Sequence, residues 1–336
     1  MPDYILLCDF AIGASVKLAL TTPGARPPAS TSYSCQGRKA FDDALLDFLS
    51  QQGRPKLLGA AISSRGYERH GVLELPQEGL RVARDEVREL LDVRRVNIVN
   101  NFVARALAIP RLRPDEVQKI CGETAPDEQV IAVLGPHHGL GLAALAPDGA
   151  GSWTAIPCEG GHSDLPVTAE REWQVLKALH SKHGHVAREY VLSLDGLAEL
   201  WQALAAIDGD EPVATEAREI IAKASIGDPR SAEAVTLCVG WLAAMASDVG
   251  LIMGARGGIY LTGELMDLLG DARLFDSAAF TRRYTDKGRL SGYVSEIPVI
   301  APWRTIWRSS AWQRCSIRVR LRPTASASRL LSWLCK

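Results

Sequence analysis

Tyr4-Ile5-Leu6-Leu7-Cys8-Asp9 is a short apolar run closed by a carboxylate; a turn-like stretch containing Gly13 follows, then a second strand-like segment at 16–22. Two adjacent strands about a glycine turn predict a hairpin opening a mixed sheet. The same order returns at 129–145, where a strand over 129–134 and another over 142–145 flank a turn marked by Gly135, Gly139 and Gly141. Between the hairpins the pattern alternates. A helix is predicted at 40–51 from the spacing of Phe41, Leu45, Leu46, Phe48 and Leu49, a strand at 57–63, and a helix at 82–91 carried by Val82, Val87, Leu90 and Leu91. A strand at 97–99 and a helix from Asn101 to Ala108, ending at Pro110, complete an α/β domain over residues 1–110. A charged, proline-containing connection at 111–128 leads into a second α/β domain over 111–300. Its helices are predicted at 170–180, 216–223 and 231–251, with a strand at 257–262 and a helix after it. The repeated opening points to two halves of one design.

Composition supports a folded two-domain chain: 336 residues, 47% hydrophobic and 23% charged. The net charge of −1 hides an asymmetry. Residues 301–336 hold eight basic side chains and no acidic one, which leaves 30 basic against 39 acidic over residues 1–300. The body should repel nucleic acid. The basic tail, interleaved with Trp303, Trp307, Trp312 and Trp333, either meets a polyanion or packs against its own acidic body. Seven cysteines without CxxC spacing read as reduced thiols. With acidic residues at Asp3 and Asp9 and no basic leader, the N-terminus is not a signal peptide. Asp248 interrupts the longest apolar run, at 234–253, so no membrane span is expected and the predicted compartment is the cytoplasm.

The glycines form no Walker loop, and Gly139-Leu140-Gly141 lies between strands rather than opening a helix, so it is no dinucleotide fingerprint. Such turns either are simply tight or bring backbone N–H groups to phosphate oxygens. The most polar constellation is Pro157-Cys158-Glu159-Gly160-Gly161-His162-Ser163-Asp164, which suits a structural loop or one holding a small polyol. Asn100-Asn101, after a strand and before a helix, either supplies amides to a cleft or caps the helix.

In this order these pieces resemble the bacterial ATP-dependent glucokinase family, of the hexokinase and actin-like ATPase group. The resemblance covers residues 1 to about 300. It is carried by Tyr4 to Asp9, Asn100-Asn101-Phe102, Ala108-Ile109-Pro110, Gly135 to Gly141, and Pro157-Cys158-Glu159-Gly160-Gly161-His162. Gly184-His185-Val186 through Glu189 to Ser193, Gly257 to Gly263, and Ile297-Pro298-Val299 complete it. It implies an α/β, two-domain actin-like ATPase (ribonuclease H-like) architecture with mixed sheets and an interdomain cleft. It also implies a homodimer, ATP and Mg²⁺ as co-reactants, and glucose or a related hexose as ligand. The family's sugar ligands map onto Asn100, Glu159, His162 and Glu189. Its phosphate and ATP contacts map onto Asp9, Gly13, Ser15, Gly135, His138, Gly139, Gly258 and Gly263, with Asp9 also the indirect Mg²⁺ partner. The cysteine-rich zinc motif of the broader repressor–kinase group is absent, so no structural zinc is expected.

The sequence departs from the family on the transfer side. The family's general base is an aspartate where this chain has Asn101, and an amide is no base near neutral pH. The first turn runs Asp9-Phe10-Ala11-Ile12-Gly13-Ala14-Ser15, one residue longer than the family's. In the second, Pro136 has no N–H to donate and His137 stands where the family has glycine. Thr262-Gly263-Glu264 puts a carboxylate near the nucleotide, and the basic tail replaces the family's C-terminal segment. The expectation is therefore a sugar-binding protein with transfer absent or severely impaired, working with a protein partner if it is a sugar sensor. The alternative is a weakly active ATP-dependent glucokinase acting on the sugar 6-hydroxyl, with Asp164 as the sequence-near substitute base. Neither reading calls for a membrane or a nucleic-acid partner.

Overall fold

The computed structural model describes residues 3–11, 14–65 and 68–302. Gly13 and the basic tail from Trp303, with the expectations attached to them, lie outside the described residues.

The chain opens with β1 (Tyr4–Ala11), β2 (Ser15–Thr21) and β3 (Thr31–Ser34), followed by α1 (Gly37–Gln51) and β4 (Leu57–Ser64). A small ribbon, β5 (Glu68–Arg69), β6 (Val72–Leu75) and β7 (Leu80–Ala83), precedes α2 (Arg84–Leu90), β8 (Val96–Asn100) and α3 (Asn101–Ala108). These build a five-stranded sheet ordered β3-β2-β1-β4-β8, antiparallel from β3 to β1 and parallel from β1 through β4 to β8. A second group of strands follows: β9 (Val117–Cys121), β10 (Ile131–Pro136), β11 (Leu140–Pro147) and β12 (Trp153–Cys158). Then come helices α4 (Glu170–His183), α5 (Leu194–Ile207), α6 (Ala217–Ser225) and α7 (Pro229–Met253). The last elements are β13 (Ile259–Leu261), α8 (Glu264–Asp271), α9 (Ser277–Thr285), α10 (Ser291–Glu296) and β14 (Val299–Pro302). The second sheet runs β12-β11-β10-β13-β14-β9. Its first five strands repeat the order and direction of the first sheet, with β9 added antiparallel at the edge. The duplicated hairpin thus reports a duplicated topology.

Strand periodicity positions the chemistry. Leu6, Cys8 and Phe10 enter the core beneath α1 with Val16, Leu18, Phe41 and Leu45. The alternate side chains of β1 therefore share the opposite face, where Leu7 packs with Ala19 and Ala104 of α3 and where Asp9 must also stand. The larger core surrounds α7, whose Trp241 is 1% exposed and donates its indole N–H to Pro166 O at 2.8 Å. Among the described residues α7 is the one helix long and apolar enough to cross a membrane, but most of it is buried within the protein, as a core helix is. Asp248 breaks its apolar run because it receives Arg188 at 2.8 Å and Lys287 at 2.5 Å. Cys8, Cys35, Cys121, Cys158 and Cys238 are free thiols; burial pushes Cys238 up to about 12.

Three sequence expectations need correction. The helix expected over 82–91 begins only at Arg84, because Leu80 and Val82 alternate as the buried face of β7. The connection at 111–128 contains β9, an edge strand. The turn expected across 135–141 is confined to residues 137–139, since Gly135 and Gly141 are cross-strand partners inside the hairpin.

Candidate functional site

Asp9 lies near the C-terminal end of β1, and Asn100 is the last residue of β8. Both strands run parallel to β4, so their ends face one edge of the sheet. Asn100 is also the N-cap of α3: its Oδ1 accepts from the Phe102 N–H at 2.7 Å, a bond worth about 1 kcal/mol. The cap fixes the side chain and leaves its amide N–H groups for another partner. Asn101 begins α3 beside it; the cap reading holds for Asn100, and both residues line one cavity.

From the second sheet come the 137–139 turn and the segment after β12. Gly160 to His162 form a 3-10 turn lying on β11. A Cβ on Gly161 would sit 2.2 Å from Leu140 O, and one on Gly160 would sit 2.7 Å from the Leu142 side chain. The paired glycines therefore serve close packing, which carries Glu159 and His162 to the rim. His162 Nδ1 is 3.5 Å from Glu189 Oε1, while Glu189 Oε2 accepts from the Leu140 N–H at 3.4 Å.

A cavity of about 690 Å³, of a size usual for small-ligand sites, is lined from both sheets. It brings together Asn100, Glu159, His162 and Glu189, and also Asp9, Asn101, His138 and Gly139. The amides, carboxylates and imidazole suit a polyhydroxyl ligand, since charged acceptors make short, directional bonds to hydroxyls. Asp9 accepts from the Ser63 hydroxyl at 3.4 Å and offers carboxylate oxygens of the kind an oxygen-ligated cation takes.

Of the other expected positions, Ser15, Gly135, Gly258 and Gly263 are not among the lining residues, whereas Gly141 is. Ser15 pairs with Ala11 and Ser34 in the sheet. Gly135 and Gly141 make room for Phe102: a Cβ would lie 2.8 Å from its ring at Gly135 and 1.9 Å at Gly141. Gly258 and Gly263 have φ of +113° and +112°, and a Cβ on Gly263 would meet Pro136 O at 2.2 Å. These glycines answer to backbone geometry. Asp164, the substitute base considered from sequence, is 92% exposed and pairs with His185 at 3.2 Å, outside the lining. It is not placed to act as a base.

The lining also includes Lys17, Arg65 and Arg105, which sequence reasoning passed over. Arg105 carried a signal: it is the single charge in the otherwise apolar helix 101–108. Its guanidinium carbon lies 4.7 Å from the Phe102 ring centroid. Burial, together with Arg105 and Arg65, holds the His137 imidazole below its ordinary pKa against the pull of Glu264. Ligand atoms of His137, His138 and Glu264 lie within 4.8 Å of one another, but Arg218 already pairs with Glu264 and the nearby guanidiniums oppose a further cation.

The glucokinase family model matches residues 11–303. A glucokinase-like protein of Caulobacter vibrioides is 37% identical over 288 residues, covering 85% of this chain and 89% of its own. The glucokinase of Chromobacterium violaceum is 34% identical over 289 residues, covering 85% and 82%. Among solved structures, glucokinase from an Antarctic psychrotroph superposes with a TM-score of 0.83 at 25% identity, over 94% of this chain and 99% of that one. A repressor–kinase-group transcriptional regulator shares the fold at a TM-score of 0.66. With a mixed α/β fold of the actin-like ATPase type and a family match across most of its length, the chain belongs to the glucokinase family.

Proposed function

We propose that the chain is an ATP-dependent hexose 6-phosphotransferase of reduced turnover. The observation that carries this reading is the single cavity shared by Asn100, Glu159, His162 and Glu189 with Asp9 and Asn101. The sugar is held by the first four: the Asn100 amide donates, the two carboxylates accept, and His162, braced by Glu189, fixes the orientation of neighbouring hydroxyls. Residues 1–110 and 111–300 act as two domains, and their approach excludes water from the cavity. The 6-hydroxyl attacks the terminal phosphoryl group in line. Asp9 would hold Mg²⁺, which neutralises charge on the donor phosphates. Asn101 orients the attacking hydroxyl through its amide but takes no proton from it, so the proton passes to an oxygen of the donor phosphates as the bond to phosphorus forms and the bond to the bridging oxygen of the departing ADP breaks.

A second reading, a sugar-binding protein that transfers no phosphate, rests on that same amide at position 101. Product formation with ATP, Mg²⁺ and saturating glucose, alongside glucose binding by calorimetry, separates the two. Glucose 6-phosphate above an enzyme-free blank supports the transferase. Glucose binding without product leaves the sugar-binding reading, and neither binding nor product removes both.

A further inference from the structure

Within residues 136–140 the second glycine turn leaves one backbone N–H, that of Gly139, to offer an anion. The His137 N–H donates to Gly139 O at 2.8 Å, the His138 N–H to His137 Nδ1 at 2.9 Å, and the Leu140 N–H to Glu189 Oε2 at 3.4 Å. Pro136 has no N–H at all. Yet the cavity wall beside this turn carries three cations. Lys17 sits directly opposite Asp9 across β1 and β2, on the same sheet face. Arg105 rises from α3 over Phe102 with Asp9 and Asp267 as its electrostatic neighbours, and Arg65 extends from the end of β4 with Glu78 as partner. Both guanidiniums line the same cavity as His137, His138 and Gly139, and the carboxylates of Asp9 and Glu264 belong to that lining too.

We propose that Lys17, Arg65 and Arg105 form the subsite for the phosphoanhydride chain of the phosphoryl donor, taking over from the backbone N–H groups of the 137–140 turn, of which all but that of Gly139 already have acceptors. The inference rests on the phosphotransfer reading, and it concerns how the donor is held. Planar guanidiniums make two-pronged bonds to phosphate oxygens, and a lysine adds a mobile point charge. Three side-chain cations recognise the phosphate chain whatever nucleoside it carries, so donor affinity depends on salt more steeply than sugar affinity does.

The test uses the full-length protein and two probes, inorganic tripolyphosphate and Mg-ATP, titrated by calorimetry with glucose present. Arg65→Ala, Lys17→Met and Arg105→Ala are each expected to weaken tripolyphosphate binding by about 10- to 100-fold. Arg105→Lys should recover part of the loss, and glucose affinity should stay within about twofold in all of them. Arg65 and Lys17 stand at the cavity wall, so those variants keep the test decisive if Arg105→Ala fails to fold. Undiminished tripolyphosphate binding in Arg65→Ala and Lys17→Met overturns the proposal. So does a wild-type protein that binds glucose but no tripolyphosphate. Loss of glucose binding with charge-dependent tripolyphosphate binding intact would instead sink the phosphotransfer reading and leave the anion subsite standing.

Discussion

Asn101→Asp restores a carboxylate at the first position of α3, and the surroundings of that position set what the change should do. The N-terminal turn of a helix favours a negative charge by about 0.3–1 kcal/mol, and Arg105 lies four residues on along the same helix. The variant should therefore fold at least as well as the parent. The same two influences lower the carboxyl pKa, since about 1.4 kcal/mol of preferential stabilisation corresponds to one unit. A positioned general base is worth about 10²–10⁴ in rate, and a base weakened by its helix and by Arg105 belongs near the lower end, so kcat should rise about 10²-fold. The apparent KM for glucose should hardly move, because Asn100, Glu159, His162 and Glu189 are untouched. The assay is coupled detection of glucose 6-phosphate across pH. The gain should fade as pH drops through the range of the new carboxylate, an acid limb that the parent lacks. A change in kcat below about threefold, in a variant that folds and binds glucose normally, would refute the idea that the amide at 101 limits transfer.

Three further outcomes follow from the geometry. Gly141→Ala should destabilise the chain by about 1–3 kcal/mol in urea unfolding, because its Cβ would overlap the Phe102 ring; a second change, Phe102→Leu, should recover part of the loss. Thr262→Val should be neutral or stabilising by up to about 1 kcal/mol, since the buried Thr262 Oγ1 has no hydrogen-bond partner, and a clear loss would show that the hydroxyl is satisfied after all. At Glu199, burial raises the carboxyl pKa but the hydrogen bonds of Lys182 and His183 outweigh it, so the folded pKa lies below the unfolded one. Its contribution is present above the ordinary carboxylate pKa and lost as pH falls through the lowered value. The stability difference between wild type and Glu199→Gln should therefore shrink from about pH 6 to pH 3, and a pH-independent difference would contradict the assignment.

Much of this architecture is legible because both hairpins announce themselves through alternating apolar residues and glycine turns. Leu6, Cys8 and Phe10 point one way, so Asp9 must point the other, and period-two geometry requires that without any contact being known. The loop of Glu159 and His162 was also visible in the sequence, as polar residues bracketing paired glycines, and the structure shows those glycines packed against Leu140 and Leu142. What escaped were features whose meaning depends on partners distant in sequence. β9 reads as a charged linker until it pairs with β14, and Val82 reads as helical until β6 lies beside it. Gly135 and Gly141 look like phosphate-turn glycines, yet the ring that requires them belongs to Phe102, more than thirty positions earlier.

The same long-range dependence changes how the transfer side should be judged. Counted along the sequence, Pro136, His137 and Glu264 are three losses from a phosphate site built of backbone N–H groups. In three dimensions, Pro136 lies where Gly263 must approach it, His137 and Glu264 are 3.5 Å apart, and Arg65 and Arg105 add positive charge around them. On the proposed subsite, a turn with acceptors already on the N–H groups of His137, His138 and Leu140 would attract an anion more through side-chain charges than through fixed dipoles. Fixed dipoles are oriented before the donor arrives, whereas side-chain cations lose conformational freedom when they close on it. The exchange preserves donor affinity more readily than transition-state stabilisation. On this argument position 101 and the 137–140 turn limit the same step, so Asn101→Asp alone should raise turnover without bringing it to the level of a relative that keeps both the aspartate and the glycine turn.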